Sequence, residues 1–319
     1  MYTGAELLQQ VEQALAALPY DRVPQRLYDP VRYVLSLGGK RVRPVLMLLA
    51  YNLYKEDVAS IMSVALGVET YHNYTLLHDD VMDRAEVRRG KPCVHKVWDD
   101  NTAILSGDSM LVLAYQRVAQ CSPSLLPQVI ELFTQTALEI GEGQQFDLDF
   151  ESRTDVTESE YIEMIRLKTS VLLANALQTG AYIAGADDQA QETLYQFGIN
   201  IGLAFQIQDD ILDVWGDPKT FGKAVGGDIS CNKKTFVYLE AKRRGGERLE
   251  EWYSQVLEDN TEKIAAVKEI FEQLEVRAVC EKVVEDYTQK ALALLDQLPQ
   301  NEATEQLRQL ANKLTTRKD

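Results

Sequence analysis

HNYTLLHDDVMDRAEVRRG, residues His72–Gly90, decides how this chain reads. Taken as a helix, it stacks positions i and i+4 on one face, so Asp79 and Asp83 lie together with Asp80 beside them. Carboxylates packed this closely repel one another unless cations stand between them. Arg88 and Arg89 follow, planar guanidinium groups that suit a phosphate oxyanion, and Gly90 ends the turn. Carboxylates for a hard metal beside arginines for phosphate describe a Mg²⁺-diphosphate site. The plainer reading is a solvated acidic helix end followed by a basic loop, since charge clusters usually belong to the surface. A second copy argues against it. FQIQDDILD, residues Phe205–Asp213, repeats the Asp-Asp-x-x-Asp spacing inside another apolar run, with Gln206, Asp209 and Asp213 on one helical face and Asp210 within the triplet.

Outward from these stretches the chain reads as helix after helix. Leu7, Val11, Leu15 and Leu18 form an apolar stripe that stops at Pro19, and a second helix over 24–37 ends at Gly38-Gly39. In GGKRVRP, residues 38–44, Pro44 suits the first turn of the next helix, and Lys40 and Arg43 can converge on one anion at its start. An ordinary basic loop is the plainer alternative there. Residues 58–83 predict the helix that carries the first acidic cluster, with Ile61, Val64, Val68 and Tyr71 inward. Gly107-Asp108 opens another. A helix over 124–147 is expected to end in Gly143–Asp147, which leaves Asp147 at the wrong end of the macrodipole and in need of a partner or metal, unless it is a surface aspartate. A helix over 158–184 carries Lys168-Thr169 at its middle, where a lysine is ordinarily solvated. The helix over 189–215 carries the second cluster and breaks at Gly216-Asp217-Pro218. GKAVGGDISCNKKT, residues 222–235, is glycine-rich with lysines at both ends and could fold over an anion. Residues 236–315 continue as polar-faced helix. No strand-like alternation appears, so the fold class is all-α.

At 319 residues the chain slightly exceeds the usual single-core size of about 250–300 residues, yet no linker or repeat divides it, and one domain over 1–319 is expected. A net charge of −16 argues against nucleic acid as a partner, but not against a phosphorylated substrate held by local cations. Cys93, Cys121, Cys231 and Cys280 lack metal-ligand spacing and read as reduced intracellular thiols. With no signal-like N-terminus and no apolar run approaching the ~20 residues of a membrane span, a cytoplasmic protein without an integral membrane segment is expected.

Taken in order, these motifs resemble the trans-type polyprenyl synthetases (isoprenyl diphosphate synthases) over about residues 38–235. Gly38–Pro44 resembles the isopentenyl-diphosphate loop, and His72–Gly90 the first aspartate-rich motif with its Arg-Arg-Gly. Gly143-Gln144-x-x-Asp147, Lys168-Thr169, Phe205–Asp213 and Gly222-Lys223 through Lys233-x-Thr235 match the rest. The resemblance implies a single large helical bundle around a deep central cavity, with the two acidic clusters facing each other across its mouth and three Mg²⁺ ions bridging them to an allylic diphosphate. Carried over by position, Asp79, Asp83 and Asp209 are metal ligands, with Asp80 and Asp213 supporting and Asp210 counted in the catalytic set. Arg88, Lys168, Lys223 and Lys233 grip the allylic diphosphate, assisted by Thr169 and Gln206. Lys40, Arg43, His72 and Arg89 hold isopentenyl diphosphate without metal. A homodimer is implied as well.

The implied chemistry is prenyl transfer: diphosphate leaves once its charge is neutralised, the isopentenyl double bond attacks the allylic cation, and a proton is lost. Residues just before the first aspartate set chain length in the family. Here these are Tyr71, Tyr74 and Thr75, and Tyr74 without the two-residue insertion resembles the geranylgeranyl type. Helical geometry instead puts Tyr71 and Thr75 nearer the Asp79 face, and plain core packing is the alternative reading of both tyrosines. A farnesyl or geranylgeranyl product is expected over a long chain. A class I terpene cyclase is the alternative, but it has no need of Lys40 and Arg43, and its second metal motif mixes Asn, Ser/Thr and Glu. A non-catalytic partner subunit is expected to have lost acidic ligands that this chain keeps.

Overall fold

Thr3 accepts the Glu6 N–H while the Glu6 carboxylate accepts the Thr3 N–H, a capping box that opens α1 (Gly4–Ala16). The computed structural model describes residues 2–217, 225–255, 257 and 259–316. After α1 come α2 (Gln25–Ser36), α3 (Val42–Asn52) and a 3₁₀ turn (Val58–Ile61) that runs into α4 (Met62–Met82), the long helix expected over 58–83. Next are α5 (Val94–Val97), α6 (Asp100–Val118), α7 (Leu126–Ser152), α8 (Glu158–Ile165), α9 (Val171–Ala184) and α10 (Asp188–Trp215). The described chain ends with α11 (Gly227–Ser230), α12 (Phe236–Arg243), α13 (Arg248–Tyr253), α14 (Thr261–Gln273), α15 (Val276–Leu295) and α16 (Glu302–Thr315). The fold is all-α. Among the described residues its only sheet is a hairpin, β1 (Val87–Arg88) against β2 (Lys91–Pro92), turning through Arg89 at φ 52° and Gly90 at φ 73°. Two positive-φ residues make the tight turn that matches strand twist.

Two of the expected helix boundaries differ. The helix over 124–147 does not stop at Gly143–Asp147; α7 continues to Ser152. Gly143 is there for close approach, since a Cβ would stand 2.4 Å from the Lys168 backbone nitrogen. The helix over 158–184 is also not continuous, because a π-helical turn over Arg166–Ser170 separates α8 from α9 and carries Lys168 and Thr169. Such turns insert a residue into the helical ladder and re-aim the side chains on it.

The described residues fall into two compact units. The first comprises Met1–Thr134, Asn175–Leu194 and Leu298–Leu307. Its core takes in Leu46–Ala50 of α3 and Val64–Val68 of α4, all under 9% exposed. Arg41 ties three helices together from a buried position, donating to Glu12, Glu69 and the Leu35 carbonyl at 2.7–2.9 Å. Within this unit α9 meets α3 at Gly180, where a Cβ would lie 2.3 Å from the Met47 carbonyl oxygen. Gly180→Ala is therefore expected to cost about 1–3 kcal/mol, read as a lower urea midpoint at unchanged m-value. An unchanged midpoint would mean that α9 absorbs the methyl without strain. The second unit comprises Gln135–Ala174, Tyr195–Gln297 and Arg308–Asp319, with Phe197, Ile207, Phe236 and Phe271 fully or almost fully buried. No described helix is long and apolar enough to cross a membrane.

Candidate active site

In the first unit α4 delivers the aspartates as it ends, with Asp83 as its C-cap. Asp79 is half-buried, Asp83 exposed and Asp80 buried. Asp80 is bound by the protein itself: Arg88 Nη2 donates to its Oδ1 at 2.5 Å and Arg88 Nε at 3.0 Å. The β1–β2 hairpin presents Arg88 and the turn residue Arg89, so its tight geometry places two guanidinium groups beside α4. Cys93, just past the hairpin, is buried, and its thiol is pushed up to about 12 by burial and then by Asp80.

A basic cluster lies in the same unit. Arg43 Nη1 stands 3.1 Å from His72 Nε2. A guanidinium can only donate, so Nε2 accepts and Nδ1 carries the proton. Burial, then Arg43 and Arg89, hold the imidazole well below its usual pKa, so it is neutral. Burial, opposed by Glu69 and reinforced by Arg89, pushes Arg43 down to about 10. Among the described residues its buried Nε has no acceptor. Arg89 donates to the Gly38 carbonyl, and Lys40 is exposed nearby in sequence. Glu69, the carboxylate that acts on Arg43, is engaged by Arg41 and by Asn73 Nδ2 at 3.0 Å. Arg41 and Asn73 lie within the two motifs read from sequence but were given no role there; only folding shows them holding Glu69.

Tyr71 is 3% exposed, with its ring 5.3 Å from Phe133 and 5.4 Å from Tyr74. Tyr74 is half-buried and reaches His78 at 4.8 Å between ring centroids. Burial, then Asp108 and Asp79, raise the Tyr74 hydroxyl. Thr75 bonds back to the His72 carbonyl at 2.8 Å.

In the second unit a cleft of about 100 Å³ is lined by Asp147, Lys168, Thr169, Gln206, Asp210, Asp228 and Lys233, among others. The π turn aims Lys168 at Asp147, Nζ to Oδ2 2.6 Å, and this supplies the partner that Asp147 needs. Burial pushes the Asp147 carboxyl up, but Lys168 and Lys233 outweigh it and hold it below the usual range. Thr169 donates to Gln206 Oε1 at 3.1 Å. Asp210 is 2% exposed and accepts from Tyr161 Oη at 2.6 Å, the Phe236 N–H at 3.2 Å and Gln206 Nε2 at 3.3 Å. Burial and then Asp228 raise it to about 8 against the pull of those bonds. Asp213, also buried, accepts the Asp228 N–H at 3.1 Å and so caps α11. Asp209 is half-buried. Lys223 lies outside the described residues.

In both triplets, then, the middle carboxylate is committed to protein donors, while the more exposed Asp79, Asp83 and Asp209 have the hard oxygen chemistry of Mg²⁺ ligands. Among the described residues no three His, Cys, Asp or Glu side chains converge as a protein-only metal cage would. Mg²⁺ held by one or two carboxylates, phosphate oxygens and water needs none, so the donor set fits.

The Polyprenyl synthetase family model matches residues 24–274. The chain belongs to the polyprenyl synthetase family. This synthetase is 41% identical over 230 residues to a geranylgeranyl diphosphate synthase of Methanosarcina mazei, covering 72% of this chain and 71% of that one. It is 37% identical over 294 residues to a short chain isoprenyl diphosphate synthase of Methanothermobacter thermautotrophicus, covering 92% and 90%. A solved geranylgeranyl pyrophosphate synthase superposes with a TM-score of 0.93 at 45% identity, covering 100% of both chains. The synthetase is thus a prenyltransferase with the all-α isoprenoid synthase fold, and neither the cyclase nor the partner-subunit reading is favoured.

Proposed function

We propose that this synthetase joins isopentenyl diphosphate to an allylic diphosphate (dimethylallyl, geranyl or farnesyl) and releases a trans short-chain prenyl diphosphate, farnesyl or geranylgeranyl. The observation that supports the reading best is the cluster of Arg43, His72 and Arg89. Two guanidinium groups crowd a neutral imidazole, and the buried Arg43 Nε lacks an acceptor among the described residues. An anionic ligand relieves both costs. In this reading Lys40, Arg43, His72 and Arg89 hold isopentenyl diphosphate. Arg88, Lys168, Lys223 and Lys233, with Thr169 and Gln206, hold the allylic diphosphate. Asp79, Asp83 and Asp209 take Mg²⁺, three ions with substrate bound, which neutralises charge on the leaving group. Asp80 fixes Arg88, Asp210 fixes Tyr161 and Gln206, and Asp213 fixes the turn leading to Lys233.

The allylic C–O bond breaks with its electron pair leaving on diphosphate. Arg88 and the lysines bind that growing charge more tightly than they bind the intact ester, which is how such contacts lower a barrier. The isopentenyl double bond adds to the allylic carbon, and the proton then lost goes to the released diphosphate. His72 Nε2 is engaged by Arg43 and serves in binding, not as the base. The protein acts as a cytoplasmic homodimer, and residues 1–319 form one catalytic domain.

The test is product analysis with Mg²⁺, labelled isopentenyl diphosphate and each allylic diphosphate in turn. A labelled prenyl diphosphate of defined length is expected. Hydrocarbon or alcohol formed from the allylic substrate alone would sink the reading. Tyr74 closes the chain pocket in this account, so Tyr74→Ala is expected to lengthen the product by at least one isoprene unit. Tyr71→Ala opens the packed core around Phe133 instead, costing about 3–5 kcal/mol of stability. An unchanged product from Tyr74→Ala would move the floor elsewhere.

A further inference from the structure

Lys263 stands near the start of α14 with no exposed surface. Burying a lysine removes an ammonium ion from water at a cost of several kcal/mol unless partners replace the solvent. Here its Nζ donates to Asn232 Oδ1 and lies 5.4 Å from the centroid of the Tyr253 ring. The contact with Asn232 is where the arrangement becomes informative. Asn232 has φ 57°, in the left-handed region, and it immediately precedes Lys233. Asparagine tolerates that conformation better than most residues, the Asn232 N–H closes the turn from within by donating to the Ile229 carbonyl at 3.2 Å, and the Lys263 contact ties the Asn232 side chain to α14.

The neighbouring residue of α14 grips the other end of the same turn. Ile264 packs under Gly226, where a Cβ would stand 2.7 Å from Ile264 Cγ2. On its other side the turn is tied to α10: the Gly226 N–H donates to the Asp213 carbonyl at 2.7 Å and the Asp228 N–H to its carboxylate at 3.1 Å. The Lys233 N–H then donates to the Asp228 carbonyl at 2.9 Å, and Lys233 enters the cleft beside Asp147 and Lys168. Consecutive residues of α14 thus hold both ends of Gly226–Asn232.

We propose that Lys263 is a positioning residue: by anchoring the left-handed Asn232 to α14 it sets the direction in which Lys233 meets the allylic diphosphate. This rests on the proposed role of Lys233. Tyr253 keeps the ammonium stem in place, and the charge of Lys263 touches no substrate.

The test compares steady-state kinetics of the full-length protein and its Lys263→Met, Asn232→Gly, double and Lys233→Ala variants, with Lys282→Met on the exposed face of α15 as control. Lys263→Met is expected to raise KM for the allylic diphosphate about 10-fold or more, the scale of a misplaced contact, and to leave KM for isopentenyl diphosphate unchanged. Asn232→Gly removes the acceptor that anchors the turn to α14 and leaves the backbone at 232 free to leave the left-handed region, so it should raise the allylic KM too if Lys263→Met does not fold. The double variant should be no worse than the poorer single one. Lys263→Met or Asn232→Gly with wild-type KM for both substrates, while Lys233→Ala raises the allylic KM, overturns the inference alone. Lys233→Ala with an unchanged allylic KM overturns the role of Lys233 and the inference with it.

Discussion

Asp79→Ala is expected to lower kcat at least about 10³-fold while leaving stability within about 1 kcal/mol of wild type. A metal ligand for the leaving group contributes several kcal/mol to the transition state, and each 1.36 kcal/mol is tenfold in rate, so losing about 4 kcal/mol gives that factor. Asp79 sits half-buried near the end of α4, where a shorter side chain opens no core cavity. Asp80→Ala, one residue on, should behave differently. Its carboxylate is buried and holds Arg88 at 2.5 Å, so alanine leaves a charged donor without its acceptor. That costs about 1–3 kcal/mol of stability and frees Arg88 from the orientation in which it is proposed to meet phosphate. Thermal melts beside kcat at saturating Mg²⁺ separate the two variants. Asp79→Ala retaining more than a tenth of wild-type kcat would remove Asp79 from the metal-binding set.

That contrast also shows where the chain could be read and where it could not. The i, i+4 spacing of Asp79 with Asp83, and of Asp209 with Asp213, is visible in one dimension, because a helix converts spacing directly into a shared face. The middle aspartates look the same in sequence. What sets Asp80 and Asp210 apart is a partner outside their own helix, Arg88 across the turn that follows α4 in one case and Tyr161 and Phe236, 49 and 26 residues away, in the other. Gly143 reads as a helix stop because glycine weakens a helix, yet the Lys168 backbone pressing against it only appears on folding. The π turn at Lys168 is hidden for a similar reason: apolar residues recur smoothly through 158–184, and one inserted residue leaves little trace in that period. Arg41 and Arg43 share a motif, but only tertiary packing gives Arg41 two carboxylates and leaves Arg43 against a histidine. Lys263 is the extreme case, since a lysine on a polar-faced helix reads as solvated.

Asp210 is where this difference should be largest in stability. Asp210→Ala strands the Tyr161 hydroxyl and the Phe236 N–H, both buried, at about 1–3 kcal/mol for each unsatisfied donor. Asp210→Asn keeps an oxygen for both and cannot ionise, which makes pH the deciding variable. The folded carboxyl is raised to about 8 by burial and Asp228, whereas an unfolded aspartate titrates near ~3.9. Between those values the native state holds a proton that the unfolded chain has released, so this group's stabilisation is complete below ~4 and lost as pH rises through about 8. Wild type should therefore lose stability relative to Asp210→Asn as pH climbs from about 5 to 8.5, in chelator-treated protein where bound metal cannot mask the titration. Asp210→Ala should lie below both at every pH. Parallel melting-temperature curves for wild type and Asp210→Asn across that range would mean the native carboxylate is already ionised, held so by Tyr161 and the Phe236 N–H, with burial the weaker influence.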